Sequence, residues 1–198
     1  RAHVIEPLAL ADTRAATSEP GAAIACGHLR EATGWRAYDV AEDWRTLAFG
    51  VDAVAPSGAA IASASDLVRF ALALSDRPPA GTPPELAAML HDLRSRSVPT
   101  SGDDRYALGL HVRALPDGTT LLRHAGNTGD FAADVAWVPE RGFAVAVLGN
   151  TGVHLRATLA AALARAGIDP RVLATSPEPA PSAAGSGPTS SPRDDPAR

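Results

Sequence analysis

No lysine occurs anywhere in these 198 residues; all 18 cationic side chains are arginine. An arginine keeps its proton under ordinary conditions and does not serve as a base. Any mechanism that uses a serine–lysine pair is therefore excluded within this chain. Cysteine is almost absent too. Cys26 stands alone, which excludes an internal disulfide and a cysteine-based metal site, and it reads as a small buried or half-buried thiol. Long apolar runs are missing: Phe143–Leu148 is among the longest and falls far short of a bilayer. Basic clusters are missing as well. The net charge is −4 and the arginines are scattered singly, whereas nucleic-acid binding calls for a basic stripe. His3, His28, His91, His111, His124 and His154 are never spaced as short zinc-binding clusters, so no metal and no other cofactor is expected. The chain opens on Arg1 and its single methionine is Met89, which suggests a piece whose natural start lies upstream.

What is present divides into two stretches. Residues 1–174 carry enough apolar side chains for a sizeable core or part of a larger one. Residues 175–198 are rich in proline, serine, alanine and glycine; such a tail has little to bury against the entropy of ordering and is expected to be disordered. Arg1–Glu6 reads as the end of a helix, and Pro7 with Asp12-Thr13 as a bend. Residues 14–58 read as mostly irregular, with Trp35, Tyr38 and Trp44 anchoring a long loop. Leu67, Phe70, Ala71 and Leu74 share a helical face, with Ser63 as N-cap. A second helix is expected over 83–93, capped by Thr82 with Glu85 completing a capping box.

The period then changes. Residues 106–113 read as a strand and Pro116-Asp117-Gly118 as a turn. Residues 119–124 form the hairpin partner, and 131–138 a further strand. Phe143–Leu148 fits a strand covered on both faces. Residues 153–166 form an amphipathic helix stopped by Gly167 and Pro170. Helices, then antiparallel strands, then a closing helix packed on the sheet predict an α+β architecture.

The most unusual segment is Arg123–Phe131, RHAGNTGDF. On a strand, His124 and Gly126 point to one face and Ala125 to the other. A strand glycine often marks close approach of a ligand, so this face offers an imidazole beside bare main chain.

Four pieces occur in order: VIEPLALADT over Val4–Thr13, PSGAAIASASDLVRF over Pro56–Phe70, YALGL over Tyr106–Leu110, and His124-Ala125-Gly126 with Phe131 and PERGFAVAVLGN over Pro139–Asn150. Over residues 1–166 this set resembles the class C β-lactamase-like branch of the penicillin-recognising serine enzymes. That branch includes class C β-lactamases, D-alanyl-D-alanine carboxypeptidases, D-aminopeptidases and related esterases. The resemblance implies a β-lactamase/transpeptidase-like fold, incomplete here, and acyl transfer by an activated serine. In that family a Ser-x-x-Lys motif supplies nucleophile and base, a Tyr-x-Asn motif a proton shuttle, and Lys-Thr-Gly or His-x-Gly the edge strand. Only the third is present, as His124-Ala125-Gly126; Tyr38 and Tyr106 are followed by Asp39-Val40 and Ala107-Leu108.

By the same resemblance His124 holds a substrate carboxylate or the proton relay, and Ala125 and Gly126 bind substrate. The Asn127 N–H is one of two oxyanion donors, a group worth about 3 kcal/mol in a working site. Ala125 replaces a hydroxyl residue of many relatives, which shifts the expectation from β-lactams toward a peptidase or esterase. Asp130 stands where many relatives have glycine and reads as a solvated loop charge, with a bias against anionic substrates as the other reading; His28 reads as a loop substitution and His111 as a surface residue. Two functions follow: part of a serine hydrolase acting on an ester, amide or D-amino-acid peptide, inactive as this chain alone, or a non-catalytic binder of a peptide or cell-wall-like ligand. Either takes a small-molecule or peptide partner.

Overall fold

The computed structural model describes residues 3–15, 25–38, 57–58, 60–100 and 104–173. The chain from Val4 to Leu10 is a series of turns, closed by the N–H groups of Leu8 and Leu10 on the carbonyls of Val4 and Ile5; of the helix end expected over Arg1–Glu6, the described residues 3–6 are turns. Strand β1 (Arg14–Ala15) pairs with β4 (Ala60–Ile61). Between them β2 (Gly27–Glu31) and β3 (Gly34–Tyr38) make an antiparallel hairpin in a region expected to be irregular. Trp35 is exposed on it, with the Arg30 guanidinium 5.6 Å from its ring, so this aromatic does not anchor the segment to a core. Cys26, expected to be buried, is exposed. Trp44 and residues 175–198 lie outside the described residues.

Helix α1 (Ala64–Ala73) begins as the sequence predicts: the Ser63 hydroxyl accepts from the Asp66 N–H at 3.2 Å. Asp66 does more than favour the helix dipole. It is buried, and its Oδ2 accepts from the Asp12 N–H and the Thr13 hydroxyl, both at 2.8 Å, which ties the N-terminal bend to the helix. Helix α2 (Pro84–Ser95) has Pro83 at its N-cap and no side-chain cap. The Thr82 hydroxyl turns back to the Pro79 carbonyl instead, so the expected capping box is not built.

Strands β5 (Val98–Pro99), β6 (Asp104–Ala107), β7 (Leu110–Ala114), β8 (Thr120–Asn127), β9 (Ala132–Val138) and β10 (Phe143–Gly149) form one antiparallel sheet in the order β10-β9-β8-β7-β6-β5. The single strand expected over 106–113 is two strands, split at Leu108-Gly109, where Gly109 takes a positive φ of 87° that glycine adopts without strain. A short 3-10 turn at Pro139–Arg141 joins β9 to β10. Helix α3 (Arg156–Arg165) follows, ended by Gly167 at φ 71°.

Two apolar layers flank the sheet. On one face Leu122, Val112 and Trp137 pack with Leu8, Leu10, Ala71 and Leu74. On the other Leu121, Ala136 and Val138 pack with Leu159, Leu163, Ile168 and Leu173. Strand β10 is covered on both faces as expected, by α1 and α3. Its residues Phe143–Val147 are nonetheless only half-buried, because among the described residues no strand pairs with its outer edge.

Candidate active site

Strand β8 carries the candidate site residues, and its register with both neighbours fixes which groups are offered. Arg123 lies opposite His111 of β7 and Ala136 of β9; His124 lies opposite Val135, Ala125 opposite Asp134, Gly126 opposite Ala133 and Asn127 opposite Ala132. His124 and Gly126 therefore share the face of Leu122, and Arg123, Ala125 and Asn127 share the face of Leu121, the alternation expected from the sequence.

The main chain is equally determined. Antiparallel pairs alternate between hydrogen-bonded and non-hydrogen-bonded. The Leu115 N–H donates to the Thr119 carbonyl at 2.8 Å, which makes His111/Arg123 a hydrogen-bonded pair two steps further on. Ala125 and Asn127, in phase with Arg123, thus turn their N–H and C=O toward the β7 side. The second hairpin agrees. The Thr128 N–H donates to the Phe131 carbonyl at 3.0 Å, which gives Gly126 and His124 to β9 and leaves Ala125 and Asn127 facing away from it. On that side β7 begins only at Leu110, and its pairing with β8 stops at Arg123. Among the described residues, the peptide groups of Ala125 and Asn127 consequently line an unpaired strand edge. A side chain built at Gly126 would meet nothing within 4 Å among the described residues, so the His124 face of the strand is uncovered at that point.

The His124 imidazole is exposed, and its Nδ1 lies 2.6 Å from the Gly109 carbonyl in the β6–β7 turn. The Asn127 side chain has a structural task. Its Nδ2 donates to the Gly152 carbonyl at 3.0 Å and its Oδ1 accepts from the Gly129 N–H at 2.7 Å. A recess opens on the opposite face of β8 from His124, lined among others by Ala125, Asn127, Asp134, His154 and Leu155. Its floor is a buried ion pair: Arg123 Nε to Asp134 Oδ1 at 2.9 Å, and Nη2 to Oδ2 at 2.6 Å. His111, expected at the surface, is half-buried between Tyr106, whose ring stands edge-on at 5.0 Å, and Arg123. Burial holds its imidazole below the usual range; Arg123 and His124 act in the same sense, and Asp104 and Asp134 oppose them.

Sequence reasoning missed what holds the 127–131 turn. Asp130 is buried, not solvated; its Oδ1 accepts from the Thr128 hydroxyl at 2.6 Å and its Oδ2 has no hydrogen-bond partner among the described residues. It lies against Gly27, where an added Cβ would come within 2.7 Å of Oδ2. His28 is more than a loop substitution: its N–H donates to the Asn150 carbonyl at 2.9 Å, and the Asn150 side chain donates to the Cys26 carbonyl at 3.0 Å. Gly152 closes the assembly, since a Cβ there would stand 2.1 Å from the Gly129 carbonyl oxygen. Main chain meets main chain at that point, so neither side yields by a rotamer change. Gly152→Ala is expected to cost about 1–3 kcal/mol as overpacking, read as a lower urea midpoint. A midpoint equal to the parent's would show that the two loops are not in contact.

A family model described as Beta-lactamase matches residues 1–168. No curated protein matches the chain. Among solved structures, the octameric penicillin-binding protein homologue from Pyrococcus abyssi superposes with a TM-score of 0.65 at 21% identity, over 86% of this chain and 37% of its own. A structure of SurE gives 0.63 at 26% identity, over 84% and 39%. A D-stereospecific amidohydrolase from Streptomyces gives 0.52 at 22% identity, over 77% and 44%. The chain thus spans less than half the length of each of these structures.

Proposed function

Because the chain belongs to the beta-lactamase family, we propose that it forms the substrate-side strand of a serine hydrolase working through an acyl-enzyme on an ester, amide or D-amino-acid peptide. The observation that carries this reading is the open edge of β8, where the peptide groups of Ala125 and Asn127 face out beside the exposed His124 and the bare Gly126. A substrate backbone pairs with such an edge by strand addition. The Asn127 N–H then serves as an oxyanion donor to the carbonyl under attack. Gly126 keeps the approach clear, Ala125 lines it, and His124 supplies the side-chain nitrogen at its start. The D-stereospecific amidohydrolase among the structural neighbours supports an amide among these substrate classes. The nucleophilic serine and its base come from polypeptide outside this sequence, since no Ser-x-x-Lys or Tyr-x-Asn is found within it.

A serine-reactive fluorophosphonate tests the proposal. The 198-residue chain alone is expected to take no label, and the same chain joined to its upstream coding sequence to take one. Gly126→Val in the longer protein should slow labelling by about 100-fold, the scale of a misplaced reacting group, without lowering Tm, because the added side chain enters open space. Stoichiometric labelling of the chain alone would overturn the reading. An upstream sequence without Ser-x-x-Lys and Tyr-x-Asn would decide instead for a non-catalytic binder of a peptide or cell-wall-like ligand.

A further inference from the structure

The β6–β7 turn does more than end the open edge. It ends one residue short of the position opposite His124, and its Gly109 carbonyl lies 2.6 Å from the ring Nδ1. A carbonyl oxygen only accepts, so Nδ1 must carry the proton of this bond. In the neutral ring the other nitrogen, Nε2, is then an acceptor with no N–H to give. Among the described residues Nε2 has no hydrogen-bond partner, and the ring is exposed. The nearest permanent cation along the strand does not change this. Arg123 points to the opposite face, and Asp134 engages its Nε and Nη2 there.

We propose that the Gly109 carbonyl locks His124 as the Nδ1–H tautomer, so that the open edge meets its substrate with a hydrogen-bond acceptor and selects a group that donates, such as an amide or amine N–H, over a carboxylate. The second half rests on the hydrolase reading above; the tautomer does not. Of the two roles the family resemblance allows His124, this arrangement selects the proton-relay side and sets aside the carboxylate anchor. Ala125, which has no hydroxyl, removes the other donor a carboxylate could use. A carboxylate would meet an acceptor lone pair there, an element that rejects it instead of merely failing to bind it.

Two measurements separate the parts. Long-range 15N NMR of the histidine-labelled 198-residue chain, taken where the His124 ring is neutral, is expected to show Nδ1 protonated and Nε2 bare; a neutral ring protonated at Nε2 overturns the lock, whatever the activity. The protein carrying its upstream coding sequence is then given two 4-nitrophenyl esters, the succinate monoester and its succinamate counterpart. The amide-ended ester is expected to be favoured by at least about tenfold in kcat/KM, and His124→Lys to reverse the preference. Equal or faster turnover of the carboxylate by the parent protein overturns the selectivity. No turnover of either ester, with Nδ1 protonated, rejects the hydrolase reading and the selectivity with it, while the tautomer assignment stands.

Discussion

Replacing Asp134 by alanine is expected to destabilise the chain by about 3–5 kcal/mol, the cost of breaking a buried pair and leaving one charge uncompensated. The side chains of Arg123 and Asp134 are only 6% and 4% exposed. They meet through two parallel N–H···O contacts across β8 and β9, each side chain reaching diagonally from its own register partner. Removing the carboxylate strands a guanidinium in the floor of the recess, where water replaces the lost partner poorly. The measurement is the urea midpoint at unchanged slope. The double variant Arg123→Met, Asp134→Leu separates the pair's net worth from the penalty of breaking it. Apolar replacements of similar size are often neutral or stabilising, so the double variant should recover most of the loss and give a large coupling energy in the cycle. Equal losses in the single and double variants would show that packing, not charge, holds this part of the sheet. The pair sits one residue before His124 on β8, and Asp134 lies directly opposite Ala125. Slippage between the two strands would carry the open edge with it, so an unstable pair should also blur the site.

The sequence made the large pattern legible because the physics there is local. The switch from helical spacing to alternation, the turn residues Pro116-Asp117-Gly118, and the glycine-marked hairpin after Asn127 each act within a few residues. The Asp117 carboxylate, held down to about 2 first by its hydrogen bond from Arg141 and next by those from Thr119, is such a turn device only in its bonds with Thr119; Arg141 lies 24 residues away. The Ser63 cap was legible for the same reason, and so was the placing of His124 and Gly126 on one face of β8. What escaped depends on distant partners. Gly109 looked like one residue of a strand until β6 and β7 were seen to fold back at it. Asp130 reads as a loop charge unless Gly27, more than a hundred residues earlier, is known to lie against it. The β2–β3 hairpin has no apolar alternation strong enough to announce itself, since residues 29–37 are nearly all exposed. One signal was available and unused. Arg123 and Asp134 are opposite charges inside two apolar strands, and the tight turn between them sets their parity, so a cross-strand pair on one face could have been read from spacing alone.

The two faces of β8 are thus secured by different forces, and the second face gives the other large expected effect. Trp137 is only 2% exposed and is the largest fully buried side chain described; it lies opposite Leu122 on β8 and Ala144 on β10, within the layer formed with Leu8, Leu10, Ala71 and Leu74. Trp137→Ala should cost about 3–5 kcal/mol through lost transfer energy and a cavity the sheet cannot close. Its indole Nε1 is buried without a hydrogen-bond partner among the described residues, which makes a second variant informative. Trp137→Phe removes some volume, but it also removes an N–H whose unmet desolvation is worth about 1–3 kcal/mol. The phenylalanine variant is therefore expected to lose less than about 1.5 kcal/mol, near the cost of a volume-conserving swap. A loss as large as that of alanine would mean that the indole N–H is satisfied in solution. Val135, two residues before Trp137 on the same face, is the partner of His124 in the ladder. The alanine cavity would open opposite Leu122, two residues along β8 from His124 on the same face, and loosening of the ladder there should let the ring exchange between orientations that the Gly109 carbonyl now restricts, visible as broadening of its NMR resonances.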